Sequence, residues 1–334
     1  MLNSLSAALI DAFADPVMLV EGNRLIAINR SARDQLGFRL ANSDVRLAMR
    51  HPQVLDAIRA GTEATLDVEG IGRADQPWRV HVIPVEDEIV MVRMTDRAAA
   101  HAAEKMRVDF VANASHELRT PLAGILGYAE TLSEAGSIDD DLRRRFATTI
   151  ETEARRMLRI VEDLMGLSRI EADRFIAPRE RIDLGRLVGD AVEESQALAE
   201  RRGCRIETAI DTDLPPIAGD EAQLMQVADN LIANAIRYGC GERCDSIRVA
   251  VSASGRERVR LTVADKGPGI APEHLPRLTE RFYRVDAARS RETGGTGLGL
   301  AIVKHIAERH RGTLNIASAV GRGTTVTLDL PILR

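Results

Sequence analysis

Asn113-Ala-Ser-His-Glu-Leu-Arg-Thr-Pro-Leu122 is the stretch that decides how this chain reads. His116 is its centre, followed at once by Glu117 and then by Thr120 and Pro121. Around it Val111, Leu118, Leu122, Ile125, Ala129 and Leu132 recur at threes and fours, the spacing of an amphipathic helix. A neutral imidazole nitrogen is a nucleophile that near-neutral pH already supplies. A carboxylate on the next residue can take the proton from the other ring nitrogen as the first attacks. Thr120 falls one turn after His116, on the same face. Pro121 removes a backbone donor and deprives the Glu117 carbonyl of its helical partner, so a bend is expected just beyond His116. Alone, a His-Glu pair on a helix is usually a solvated surface feature. The flanking chain gives it its chemistry.

Downstream, Ala135-Gly-Ser-Ile138 reads as a turn with Gly136 as the stop, and a second helix is expected over 139–172. Asp139, Asp140 and Asp141 complement its N-terminal dipole. Its apolar stripe is Leu142, Phe146, Ile150, Ala154, Met157, Val161 and Leu164. Two such helices make half a core, so burial predicts pairing with a second copy as a four-helix bundle, a homodimer. Upstream, 95–105 is polar and Ala-rich, a helical connector that either relays motion mechanically or merely spaces.

The C-terminal half carries four further clusters. A helix capped by Asp220 presents Asn230 and Asn234 four residues apart, with Arg237 and Tyr238 following. An amide oxygen there suits Mg2+ bridging phosphates, Arg237 suits phosphate charge and Tyr238 a flat wall near a base. The strand Val259-Arg-Leu-Thr-Val-Ala264 ends in Asp265-Lys-Gly-Pro-Gly-Ile270. The Asp265 carboxylate can accept from an adenine amino group, while Gly267 and Gly269 allow a turn and close backbone approach. Arg281-Phe-Tyr-Arg-Val-Asp286 offers Phe282 as an anchor for a lid and Arg284 as a phosphate contact. Arg289, Ser290, Arg291 and Thr293 read as polar lid residues or as solvated loop. Gly294-Gly-Thr-Gly-Leu-Gly-Leu300 frees backbone N–H groups at Gly295, Thr296, Gly297, Leu298 and Gly299, just before a helix over 300–310 whose N-terminus can face phosphates. No Gly-Lys-Ser/Thr ends it, so it is not a Walker A loop, and the strand and spacing of a Rossmann fingerprint are absent. Strands at 313–317 and 323–330 close the sheet.

In this order the clusters resemble the bacterial sensor histidine kinases. Ser115 to Leu122 looks like their phosphoacceptor box, 110–132 is similar to the phosphate-regulon branch, and the later clusters look like the N, first glycine, F and second glycine boxes. The resemblance covers roughly 104–334. It implies a Bergerat-type α/β sandwich with a mixed sheet, ATP and Mg2+ as cofactors, and Asn230 or Asn234 holding the metal. It implies that His116 takes the γ-phosphoryl group with Glu117 as proton acceptor, then passes it to an aspartate of a response regulator. Glu117 and Thr120 match a Glu-x-x-Thr phosphatase pattern, in which Thr120 would orient water. A hinge is expected at 173–180. Two rivals remain: a dimeric signal-binding scaffold that barely turns over ATP, and a Bergerat ATPase of chaperone or repair type, which needs no His116-Glu117.

The N-terminal part resembles a family by layout alone. Strands at 17–20 and 25–28, separated by Glu21-Gly-Asn23, precede helices at 29–36 and 51–60 and strands at 64–68, 78–83 and 88–94. That order is similar to a PAS-type sensory domain, either ligand-binding or serving only to dimerise. The expected whole is multidomain α+β: 1–95 PAS-like, 96–174 helical connector and phosphotransfer hairpin, 180–334 ATP-binding.

Length and composition agree. The 334 residues suit two or three domains, and 45% apolar content suffices for packed cores. A net charge of -5 gives no reason to expect nucleic acid as partner. Cys204, Cys240 and Cys244 argue against a disulfide framework and fit a reducing cytosol. Zinc between Cys240 and Cys244 would lack its remaining ligands. The sequence has no run of about 18 apolar residues, and the first 21 residues lack the basic start of a signal peptide. The expected location is cytoplasmic, as a soluble kinase or as the cytoplasmic portion of a membrane-anchored sensor.

Overall fold

The structure, a computed structural model, describes residues 8–36, 43–71, 76–86, 88–134, 139–173, 176–241, 246–286 and 295–333. It divides into two compact units, 1–111 and 112–334, each described by itself. The expected turn at 135–138, the lid residues 289–293 and Cys244 lie outside the described residues.

In the first unit a five-stranded antiparallel sheet has the order β2-β1-β5-β4-β3. Its strands are β1 (Val17–Glu21), β2 (Arg24–Ile28), β3 (Ala64–Val68), β4 (Trp78–Glu86) and β5 (Ile89–Asp96), with helices α1 (Arg30–Leu36), α2 (Val45–Ala48) and α3 (Pro52–Ala60) between β2 and β3. Alternation sets the faces of β4 and β5: Trp78, Val80 and Val82, and Val90, Val92 and Met94, point into the core. On β1, Met18 and Val20 join that core, while Val17 and Leu19 pack with Ile10 on the opposite face. Asn29 joins these parts. Its Nδ2 donates to the carbonyls of Ile10, Phe13 and Asp15, and its Oδ1 accepts from the N–H groups of Val17 and Ala32. Such a fully buried amide is tolerated because its bonds are made.

Helix α4 (Ala98–Glu134) leads from β5 into the second unit and contains Pro121. Helix α5 (Asp140–Ala172) follows, and Tyr128 packs on Phe146 with ring centroids 5.1 Å apart. The rest of the second unit has β6 (Glu180–Ile182), α6 (Leu184–Arg201), β7 (Arg205–Ile210), β8 (Ile217–Gly219), α7 (Glu221–Asn234), β9 (Ser246–Ser254), β10 (Arg258–Asp265), α8 (Gly299–Arg309), β11 (Thr313–Ala319) and β12 (Gly323–Pro331). Asp183 and Asp220 cap α6 and α7 through bonds from the Arg186 and Gln223 N–H groups. The main sheet has the order β11-β12-β10-β9-β7 and is antiparallel except for the parallel pair β7/β9. Ile247, Val249, Val251, Val259, Leu261 and Val263 are buried on one face, with Leu231, Ile232, Ile302 and Ile306 of α7 and α8 also in the core. Arg260 and Asp329 pair on the other face, so helices cover one side of a mixed sheet.

Two features go beyond the sequence reading, and the second corrects it. Within one chain α5 buries a second face beside the predicted stripe: Leu142 and Val161, expected to be covered by a second copy, are exposed, whereas Arg156, Ile160, Leu167 and Ile170 are buried. The reason is that α8 packs along the C-terminal half of α5 and takes the other face. Against the expectation of no disulfide framework, Cys204 and Cys240 form a disulfide with their Cα atoms 5.8 Å apart. Parallel pairing of β7 with β9 brings them together, because Cys204 precedes β7 and Cys240 closes the turn before β9.

Candidate active site

Helix α7 turns Asn230 and Asn234 to one side, and a π-helical turn (Ala235–Gly239) extends it through Arg237 and Tyr238. All four line a cavity of about 540 Å³. Asp265, at the end of β10, lines it from the sheet. Its Oδ1 accepts from the N–H groups of Gly267 at 2.8 Å and Thr324 at 3.2 Å. Burial nonetheless pushes its carboxyl above the ordinary range, against those two bonds.

Gly269, Gly295, Thr296, Gly297 and Gly299 complete the rim. Gly297 has φ +74°, and a β-carbon there would sit 2.9 Å from the Phe282 backbone, so this position requires glycine. The Phe282 N–H donates to the Gly297 carbonyl at 2.8 Å, tying the 281–286 segment to the second glycine run. Gly267, Phe282 and Leu298 do not line the cavity. Phe282 is half-buried with φ 63°, and Leu298 is fully buried with its N–H directed to Thr296 Oγ1. At Gly299, which opens α8, a β-carbon would lie 3.0 Å from Asn230 Oδ1. The bare glycine thus leaves that amide oxygen room for a hard cation, and the residues fit Mg2+.

The third wall is α5, through Arg159, Glu162 and Asp163. Asp163 Oδ2 accepts from Thr296 Oγ1 at 2.8 Å; burial raises this carboxyl and the Thr296 bond opposes the rise. Lower on the helix, Glu171 pairs with Arg281 and lies 3.5 Å from His305 Nε2.

His116 and Thr120 are exposed on α4, and Thr120 Oγ1 donates to the His116 carbonyl at 3.3 Å. Glu117 is half-buried between two guanidiniums. Its Oε2 accepts from Arg284 Nη2 at 2.8 Å and from Arg156 Nη2 at 3.1 Å. The side chains of Arg284 and Arg156 are only 6% and 8% exposed, so these are charge-assisted bonds in a dry setting. Arg284, expected to face a phosphate, lines the cavity but spends its guanidinium on Glu117.

Sequence reasoning missed Arg156, Asp163 and Glu171, although Ile160, Leu167 and Ile170 at sevens and threes mark a second buried face beside them. It also missed His310. The Asp220 N–H donates to His310 Nε2 at 3.0 Å and His310 Nδ1 lies 2.8 Å from the Ile306 carbonyl, so the ring is neutral with its proton on Nδ1. Burial holds it below its ordinary pKa.

Comparison with known proteins bears on this geometry. Residues 106–173 match the His Kinase A (phospho-acceptor) domain, and 219–334 match the histidine kinase-, DNA gyrase B- and HSP90-like ATPase. The phosphate regulon sensor protein PhoR of Pseudomonas aeruginosa is 42% identical over 72% of this chain and 53% of its own length. The chain therefore spans about half of that relative. The sensor-like histidine kinase SenX3 of Mycobacterium bovis is 34% identical over 98% of this chain and 78% of its own length. Among solved structures, the Acinetobacter baumannii histidine kinase AdeS shares the fold with TM-score 0.51 and 24% identity, over 66% of this chain and 98% of that one.

Proposed function

This chain belongs to the sensor histidine kinases, and we propose that it phosphorylates its own His116 from Mg-ATP and passes the group to an aspartate of a response regulator. The observation that carries this reading is the bond from Arg284, on the cavity wall, to Glu117, beside His116. It brings the phosphoacceptor helix against the nucleotide cavity.

In the proposed reaction a neutral ring nitrogen of His116 attacks the γ-phosphorus while Glu117 takes the proton from the other nitrogen. Arg156 keeps Glu117 oriented. Asp265 accepts from the adenine amino group, Arg237 and the N–H groups of 295–299 face phosphate oxygens, and Tyr238 flanks the base. Asn230 or Asn234 would hold Mg2+, which neutralises triphosphate charge when bound. Arg284, Thr296 and Arg281 are engaged on Glu117, Asp163 and Glu171, which holds the ATP-binding part on the hairpin while His116 itself stays exposed. In the proposed cycle these contacts break and re-form as the ATP-binding part moves for kinase and phosphatase work, with the link at 173–180 as hinge; residues 174–175 lie outside the described ones. Thr120 would orient water in a reverse, phosphatase reaction.

We assign 1–95 to a PAS-like sensory domain, 96–174 to the connector and phosphotransfer hairpin, and 180–334 to ATP binding. The sheet order β2-β1-β5-β4-β3 with three helices between β2 and β3 supports the first. Exposed Leu122, Leu126, Leu142, Leu158 and Met165 support a homodimer through the hairpin. No described helix is long and apolar enough to cross a membrane. A cytoplasmic site of action fits the ATP requirement.

The test is incubation with γ-labelled Mg-ATP for wild type and His116→Gln, followed by acid and base. Acid-labile, base-stable label absent from the variant is expected. Label persisting in the variant would remove His116 from its role, and ATP binding without label would favour the scaffold.

A further inference from the structure

We propose that Cys204 and Cys240 form a reversible thiol/disulfide site that sets the affinity of the nucleotide cavity. The inference rests on the ATP-binding reading of that cavity. It starts from the observed pairing, which the function described so far does not use.

The bond closes a loop with a sequence separation of 36. Within that loop lie all of α7 and the π-helical turn, and so Asn230, Asn234, Arg237 and Tyr238 of the cavity wall. The cross-link therefore ties together both ends of the segment that forms one wall. Its second end is close to the base-binding side. Cys240 directly follows Gly239, and a β-carbon on Gly239 would run into the Asp265 side chain. One on Gly267 would lie 2.7 Å from the Tyr238 carbonyl oxygen and 2.8 Å from the Gly239 Cα. Residues 238–240 thus pack directly against the 265–267 turn, so a change in the tether at Cys240 is passed on to the backbone beside Asp265.

Access to the two sulfurs is unequal. Cys204 is 3% exposed and Cys240 is half-buried, so exchange begins at Cys240. With a low-molecular-weight disulfide as oxidant, the Cys240 thiolate attacks one of its sulfurs and expels one thiolate. The Cys204 thiolate then attacks the Cys240 sulfur of the mixed disulfide and expels the second. Two protein thiols and one small disulfide become one protein disulfide and two small thiols. An excess of small thiol reverses it. Where thiols are kept reduced, a bonded pair of this kind is typically catalytic or redox-sensing.

A cross-link that pre-orders a binding wall lowers the ordering cost of the ligand, so the oxidised form should bind more tightly, by roughly three- to tenfold. The experiment uses the full chain with Cys244→Ser, leaving one possible intramolecular pair. It is equilibrated in glutathione buffers of stepped ratio, its free thiols are counted by alkylation and mass, and a fluorescent ATP analogue is titrated at each step. The expected result is affinity that follows the fraction of paired Cys204 and Cys240, with Cys204→Ser fixed at the weaker value. Three results would overturn the proposal: no pairing at any ratio, affinity unchanged across complete pairing, or a shift in melting temperature alone. No binding in either state would reject the nucleotide reading, and this inference with it. The wild-type redox comparison stands even if Cys204→Ser fails to fold.

Discussion

Arg284 Nη2 donates to Glu117 Oε2 at 2.8 Å, joining a residue of the cavity wall to the neighbour of His116. Arg156 shares the same oxygen from the other side. Replacing Arg284 or Glu117 by glutamine removes one partner of a nearly dry pair. A double-mutant cycle read by denaturant melts should give a coupling of about 1–2 kcal/mol. Additive effects would mean that the contact does not form in solution.

Arg156→Ala should act through Glu117. We expect autophosphorylation to fall about tenfold or more, an effect of roughly 1.4 kcal/mol, with nucleotide affinity unchanged. Arg156→Lys should rescue only part, because an ammonium lacks the planar fork. Equal loss of nucleotide binding would show a general packing defect instead.

Gly297→Ala places a β-carbon against Phe282 at a positive φ. Backbone strain of this kind costs on the order of 1–3 kcal/mol. The fold should survive, with a lowered melting temperature, and nucleotide binding should be largely lost in calorimetric titration.

His310 gives the ATP-binding part an acid limit. Its folded-state pKa lies below the ordinary 6.5, since burial opposes charging. The unfolded chain therefore binds more protons in the window between the two values, and stability rises with pH across it. Stability should be fully present above pH 6.5 and fall as pH drops through the window. His310→Gln should flatten this slope in melts at stepped pH.

Asp265 titrates in the opposite sense. Burial raises its carboxyl, so the acceptor for an adenine amino group is lost on acidification earlier than for a carboxylate at the ordinary 3.8. ADP affinity should weaken as pH falls toward that raised value. Asp265→Asn should bind weakly at every pH and show no such dependence.

Leu126→Asp and Leu158→Asp alter side chains that are 53% and 58% exposed within one chain. If the hairpin pairs with a second copy, light scattering should show a shift from dimer to monomer, with melting of the ATP-binding part unchanged.

What the sequence made legible was whatever depends on neighbours along the chain. The helix limits near Glu134 and Ala172 and the cap at Asp220 follow from spacing and turn chemistry, while the clustering of Asn230, Asn234, Asp265 and the glycines at 295, 297 and 299 follows from the family resemblance. What it hid depends on partners far away. Arg156 looks like any charged residue on a polar helix, and only the arrival of Arg284 from over a hundred positions downstream gives it a buried role. The alternation of Ile247, Val249 and Val251 in β9 carries no motif, and Cys204 shows no sign of Cys240 until β7 pairs in parallel. Asn29 reads as a simple helix cap, whereas its amide also gathers three carbonyls from 10–15.

The order β11-β12-β10-β9-β7 puts β12 in the interior of the sheet, between strands made before it. During synthesis β9 and β10 can zip into a hairpin, but the other edge of β10 stays open until residues 323–331 emerge. At about 5–20 residues per second that interval lasts several seconds. Throughout it Val259, Leu261 and Val263 sit on a strand with an unpaired backbone edge, the template on which nascent chains aggregate. Arg258 and Arg260 alternate with them and put charge along that edge while it waits for its partner.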